Sequence, residues 1–295
     1  MDVSGIPMEV QVERFEQKFY GSGAGELPEL KAAYPFLFPE PNPDSVWLAK
    51  MQDEDEQFLF GEAQKLYTDF SDETEALKEL FRHIKYYYPK FEAPRVITVL
   101  SNVDYENRVI LADSLLFLSL DVYLGEGHQV YADYPAYIKQ NNTREHLMAD
   151  IAGAYADRIL LANRSNSFIS NMVQAGKRLQ LQQAFLPDEE PARLMGYSPD
   201  QWEWAVISES NIWKYFIENE MIYSSDPDLT KRFLEAAPFS KFYLEVDRDS
   251  PGRIGAWFGW EIVRSYLENN EATLQEMLAT DNEEIFKSSR YKPKK

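Results

Sequence analysis

The chain has 295 residues, 44% hydrophobic and 14% aromatic, enough apolar side chain to fill a sizeable core rather than leave the chain disordered. It contains no cysteine, which excludes disulfides, thiolate zinc sites, iron–sulfur clusters and cysteine nucleophiles. Lys and Arg number 30 against 49 Asp and Glu, a formal net charge of -19 whose field repels phosphate backbones, so nucleic acid is not an expected partner.

Residues 1–45 read as an extended N-terminal segment, because the glycine run GSGAG at 21–25 is followed by Pro35, Pro39, Pro41 and Pro43. The glycine run is not a nucleotide loop: residues 13–20 before it are charged and helical in pattern, and no lysine or threonine follows in register. From 45 to 88, Leu66, Phe70, Leu77, Leu80, Phe81 and Ile84 recur at three- and four-residue intervals, which predicts helix. The acidic run 53–56 reads as a solvated face or loop of it. Pro94 marks a change of period. RVITVL at 95–100, RVIL at 108–111 and residues 114–120 are short and rich in Val, Ile and Leu, which predicts strands. Turn chemistry at 102–107 favours a small antiparallel or mixed sheet. The longest apolar run, 109–124, is interrupted by Asp113, Ser114, Ser119 and Asp121 and falls short of the roughly 20 apolar residues of a membrane helix. Beyond Tyr134 the pattern predicts helices at 143–162, 165–185, 198–221, 226–234, 253–269 and 273–280. The sum is a predominantly helical α+β chain with a small sheet, in which 46–295 form one domain.

No strong catalytic motif is present. The three histidines, His83, His128 and His146, form no HExxH or close pair, and no Gly-x-Ser-x-Gly elbow exists. His146 and Asp150 stand one helical turn apart, a spacing that suits a metal and equally an ordinary helix surface. Trp202, Trp204, Trp213, Tyr215, Phe216 and Tyr223 surround Glu209 and Glu218. Helical spacing puts Glu209 at the edge of the apolar face, where a carboxylate needs a partner or a cavity. Gly255 and Gly259 lie in a predicted helix, where each costs about 1 kcal/mol against alanine, so another backbone or a ligand is expected to approach closely.

Several segments together resemble the gliding-motility lipoprotein GldB family: VQVERFE (10–16), LDVYLG (120–125) leading to YPAYI (134–138), and MVQAGK (172–177). WAVISESNIWKYFI (204–217), APFSK (237–241), PGRIGAWFGWEIVRSY (251–266) and SSRYKP (288–293) continue it over nearly the whole chain. The resemblance implies an exported lipoprotein of the cell envelope, periplasmic or outer-membrane associated. Its lipid would sit on a cysteine just upstream of Asp2, so that residues 1–45 follow a lipoprotein linker. Two acyl chains of such an anchor would hold the domain stably at a membrane. The implied partner is a cell-envelope protein of the motility and secretion apparatus.

The family in turn resembles HExxH zinc peptidases of the gluzincin type, which implies a zincin-like domain with the HExxH motif lost. The metal positions then fall on His146 and Asp150, or on Asp150 and Ala154, and the place of the general base holds Leu147 or Ile151. Glu209 stands where a third ligand belongs. A zincin needs three ligands and a base that takes the proton of bound water. The resemblance therefore implies no catalysis, no metal and no cofactor, and a vestigial groove lined by His146, Asp150, Glu209, Trp213, Arg253, Trp257, Glu261, Arg264 and Tyr266 that binds a protein or peptide. Two other readings stand beside it. One is a residual metal-dependent hydrolase using His146, Asp150 and Glu209. The other is a carbohydrate- or peptide-binding module with Trp202, Trp257 and Trp260 as an exposed platform.

Overall fold

The computed structural model describes residues 2–294, whose contacts gather into two compact units, 2–134 with 141–148 and 135–140 with 149–294. The first unit opens with β1 (Val12–Arg14), α1 (Phe15–Tyr20), α2 (Leu27–Ala33), α3 (Asp44–Gln52), α4 (Glu54–Leu66) and α5 (Ser71–Tyr87). It continues with β2 (Arg95–Val99), β3 (Val109–Ala112) and β4 (Leu115–Ser119). The strands form one mixed sheet in the order β1-β2-β4-β3, with β1/β2 and β2/β4 parallel and β3/β4 antiparallel. The three predicted strands are present. β1 falls where a helical pattern is expected, and its pairing of Val12 with Val96 makes the five helices between them a crossover between parallel strands.

The first 45 residues are not an extended wrap. They hold β1, α1, α2 and a 3-10 turn at Pro35–Leu37, and α3 runs across the expected boundary at 45/46. The reason is aromatic: Phe15, Phe19, Tyr20, Tyr34 and Phe38 are buried with Leu27, Leu30, Met51 and Ile97 in one cluster on a face of the sheet. Prolines at 35 and 39 shape the turn that delivers two of those rings. The acidic run 53–56 starts α4, with the Asp53 carboxylate accepting the N–H groups of Asp55 (3.1 Å) and Glu56 (3.0 Å). Acid at a helix N-terminus is favourable both as a cap and toward the helix dipole.

The second unit is helical: α6 (Ala136–Lys139), α7 (Leu147–Ile159, running across the division), α8 (Phe168–Phe185), α9 (Pro191–Met195), α10 (Pro199–Glu218) and α11 (Asp228–Phe233). α12 (Ile254–Asn270), α13 (Leu274–Ala279) and α14 (Asn282–Ser289) complete it. α10 begins on a capping box in which Ser198 and Gln201 exchange bonds, with Pro199 at the first helical position. Phe216 centres the core, its ring 5.3 Å from Phe168, 5.1 Å from Phe233 and 5.6 Å from Phe258. α8 and α12 meet at glycines: a Cβ on Gly259 would stand 1.7 Å from the Met172 carbonyl oxygen, and one on Gly176 would stand 2.2 Å from the Gly259 carbonyl. Close backbone approach is thus what the α12 glycines permit. Among the described residues no helix is long and apolar enough to cross a membrane.

Candidate functional site

The parallel strands β1, β2 and β4 end side by side, and open α/β sheets place ligands outside the carboxyl ends of such strands. Here a cavity of about 470 Å³ occupies that position. Its apolar wall comes from α1 (Phe15, Phe19, Tyr20), the 36–38 turn, Trp47 of α3, and Val99, Ile110 and Phe117 of the sheet. Period two in the strands does the aiming, since Val99 pairs with Ser119 and Ile110 with Phe117, so these side chains share one face. Phe36 and Ile110, each 43% exposed, stand at the rim, and Phe36 meets Phe117 edge-on at 5.9 Å.

Polar groups are few and placed. Glu16 is fully buried, and its carboxylate accepts from Arg14 Nε at 2.6 Å and from the Thr98 hydroxyl. Lys50 contacts Glu56 at 3.0 Å, and Glu56 also accepts from the Tyr20 hydroxyl at 2.6 Å. Burial, then Glu56, pushes the Tyr20 phenol well above its usual range, which keeps it a donor. The turn after β2 is held by Asp121, fully buried, which accepts from the N–H groups of Ser101 (3.0 Å) and Val103 (2.7 Å). Those bonds stabilise an unusual backbone, with Asn102 and Val103 both left-handed at φ 58° and 62°. Ser101, Asp104 and Asn107 are thereby presented at the cavity. Trp47 brings an open donor to the cavity, since its indole Nε1 is buried with no hydrogen-bond partner. A 470 Å³ apolar cavity with a few fixed polar groups is of ligand-pocket size.

The residues expected from sequence lie elsewhere. In the second unit Glu209 is 1% exposed, and its Oε1 accepts from the Tyr291 hydroxyl at 2.6 Å. Burial and then this carboxylate drive the Tyr291 phenol far above its usual range. Trp213 packs edge-on to Tyr291 at 5.2 Å and stacks on Phe258 at 5.6 Å. Glu261 pairs with Arg264 at 2.9 Å and lies 3.7 Å from Lys294, while the Arg264 guanidinium sits over the Trp260 ring. Tyr266 is buried, and its carbonyl accepts from Asn270. Glu209, Trp213 and Glu261 are therefore brought together, around Tyr291. Arg253 heads α12 in a left-handed conformation and donates to the Met195 carbonyl at 3.4 Å. Burial, then the charge of Arg178, lowers its basicity, and Asp150 on α7 partly offsets this. His146, buried in a 3-10 turn, belongs to the first unit. Among the described residues no three His, Cys, Asp or Glu side chains are grouped so as to hold a metal ion.

The aromatic platform is corrected by the structure, since Trp257 and Trp260 are each 1% exposed and Trp202 meets both edge-on, at 6.3 and 6.2 Å. Trp257 and Trp260, buried in the α8–α12 core, offer no stacking face to a ligand, and Trp202 is half-buried against them. The cavity of the first unit was the site that spacing missed, because its residues come from five separate stretches. The signal nearest to it is the Tyr34-Pro-Phe36-Leu-Phe38-Pro run, aromatic side chains at alternate positions of a turn-forming segment.

No curated protein and no solved structure matches the chain. The model of the family described as gliding motility protein GldB matches residues 1–293, the whole span over which distinctive segments from 10–16 to 288–293 are read, and the chain belongs to that family.

Proposed function

We propose that this chain is a non-catalytic binding component of the gliding motility apparatus and its secretion machinery, a lipoprotein of the cell envelope that receives an apolar part of a protein partner in the aromatic cavity of its first unit. The observation that carries the reading is the cavity itself, about 470 Å³ walled by Phe15, Phe19, Phe38 and Phe117 and rimmed by exposed Phe36 and Ile110. Exposed apolar side chains around an apolar recess are the usual mark of an interaction site. The state of Glu209 also favours binding over hydrolysis: a carboxylate already bound by Tyr291 in the core is not presented to a substrate. Membership of the GldB family supports the link with motility and the envelope.

The test is complementation of gliding in cells lacking the chain, with Phe36→Asp and Ile110→Glu as variants. Both side chains are exposed, so the variants should accumulate and melt like the wild type, while gliding is lost. Wild-type gliding by both variants, with gliding lost on Glu209→Gln instead, overturns the reading.

A further inference from the structure

Strand β3 is the last strand of the sheet and pairs with β4 alone. The Ser119 N–H bonds the Arg108 carbonyl at 3.0 Å, which identifies 108/119 as a hydrogen-bonded pair of the antiparallel ladder. Such pairs alternate, so residues 110 and 112 turn their backbone groups toward β4, while Val109 and Leu111 turn theirs outward. This open row of donors and acceptors adjoins the cavity, because Ile110, between the two outward residues, is itself a rim residue. A strand added at this edge would lie about 4.8 Å from β3. Its residue opposite Ile110 would project on the same face, with Cβ about 5 Å from that of Ile110 and hence at the mouth of the cavity.

Charge selects among occupants. Asp104 and Glu106 precede β3 and Asp113 follows it. Bonds from Asn107 to Asp104 hold that carboxyl below its usual range, so it is anionic at neutral pH. Arg108 is turned to the protein, its Nε donating to the Tyr105 carbonyl and its guanidinium over the Tyr123 ring. An edge with acidic groups at both ends suits a segment whose flanks are basic.

We infer that the open edge of β3 takes an extended segment of a protein partner as a fifth strand, seating one apolar side chain of that segment in the aromatic cavity with basic residues on either side. The inference rests on the cavity being the binding site, as proposed above, and adds the mode and the chemistry of the partner. Backbone bonds along the edge supply affinity and the cavity supplies selectivity, the division of labour of strand addition generally.

The test uses the full chain and a displayed library of nine-residue peptides with a variable centre. Enriched peptides should carry a bulky apolar residue between β-branched neighbours, with Lys or Arg outside them. In synthetic form they should slow hydrogen exchange of the Val109 and Leu111 amides at least tenfold. N-methylation of the peptide at alternate residues should weaken binding at least tenfold, and Ile110→Glu should do the same. Peptides that bind and change the fluorescence difference between wild type and Trp47→Phe, yet leave Val109 and Leu111 exchanging freely, overturn strand addition and leave the cavity reading standing. No enrichment and no fluorescence response overturn both. Protection of the two amides in the chain alone, rising with concentration alongside a dimer in sedimentation, assigns the edge to a second copy and overturns the inference.

Discussion

Gly259 lies so close to Met172 that a methyl group on its Cα would stand 1.7 Å from the Met172 carbonyl oxygen, with Gly176 completing the contact from the same helix. The obstacle is backbone, not a flexible side-chain tip, so α8 and α12 would have to move apart. Gly259→Ala is therefore expected to destabilise the second unit by about 3 kcal/mol. Gly61 provides the contrast, since it lies within α4 and a Cβ there meets nothing within 4 Å. Gly61→Ala should stabilise by about 0.5–1 kcal/mol, and denaturant midpoints of the two variants check both signs.

The Tyr291 hydroxyl donates to the buried Glu209 carboxylate. Tyr291→Phe leaves a charge in the core without that bond, and a loss of about 2–3 kcal/mol is expected. In a Glu209→Gln background the same change should cost at least 1 kcal/mol less, because no buried charge is stranded. A double-mutant cycle by chemical denaturation measures this coupling. Additive effects would show that the pair contributes only its packing.

Lys177 is buried in α8, with Nζ donating to the carbonyls of Thr280 (2.6 Å) and Leu278 (3.2 Å) at the end of α13. Burial pulls its ammonium down to about 8, against a small opposing effect of Asp281. The sign follows from linkage. Between pH 8 and the ordinary lysine value the unfolded chain holds the proton that the folded chain releases, so this group adds stability as pH rises through that window. Relative to Lys177→Met, the wild type should gain about 2 kcal/mol between pH 7 and 9.5. Parallel denaturation curves at the two pH values decide it. Equal pH dependence in both proteins would place the lysine in contact with water.

Trp47 has an indole N–H with no acceptor. Replacing it by Phe removes a buried donor that makes no bond, so Trp47→Phe should change stability by less than about 1 kcal/mol. A cost above about 2 kcal/mol in urea denaturation would mean that the donor is satisfied in solution by a bound group.

The sheet shows what sequence can and cannot reveal. RVITVL and RVIL are built around β-branched Val, Ile and Thr, and β2 and β3 lie where those runs predict. β1 has three residues, two of them Glu13 and Arg14, and no composition marks it; a parallel partner across five helices makes it a strand. The close approach at Gly259 was legible because a glycine inside a helix has a standing cost that packing must offset. The need of Glu209 for a partner was legible in the same way, but the partner, Tyr291, is brought by tertiary structure alone. The cavity was illegible for that reason too. Phe15, Phe36, Trp47, Val99 and Phe117 share no local spacing and become neighbours only when α1 and α3 settle on the sheet. α14 was missed because its apolar residues are few, Ile285 and Phe286 among charges, and its cap is the plain Asp53-like geometry of Asp281, which accepts from Glu283 at 2.9 Å and Glu284 at 3.3 Å.

The crossover from β1 to β2 also dictates the order in which the first unit can be completed. Contacts between neighbouring segments, such as the β3–β4 hairpin, form early because little chain entropy is lost in closing them. Pairing of Val12 with Val96 closes a loop that contains α1 to α5, so its entropy cost is expected to delay it. During refolding the flank of β2 that awaits β1 stays bare the longest, and in pulsed hydrogen exchange the amide of Val96, which bonds the Gln11 carbonyl, should be among the last to gain protection.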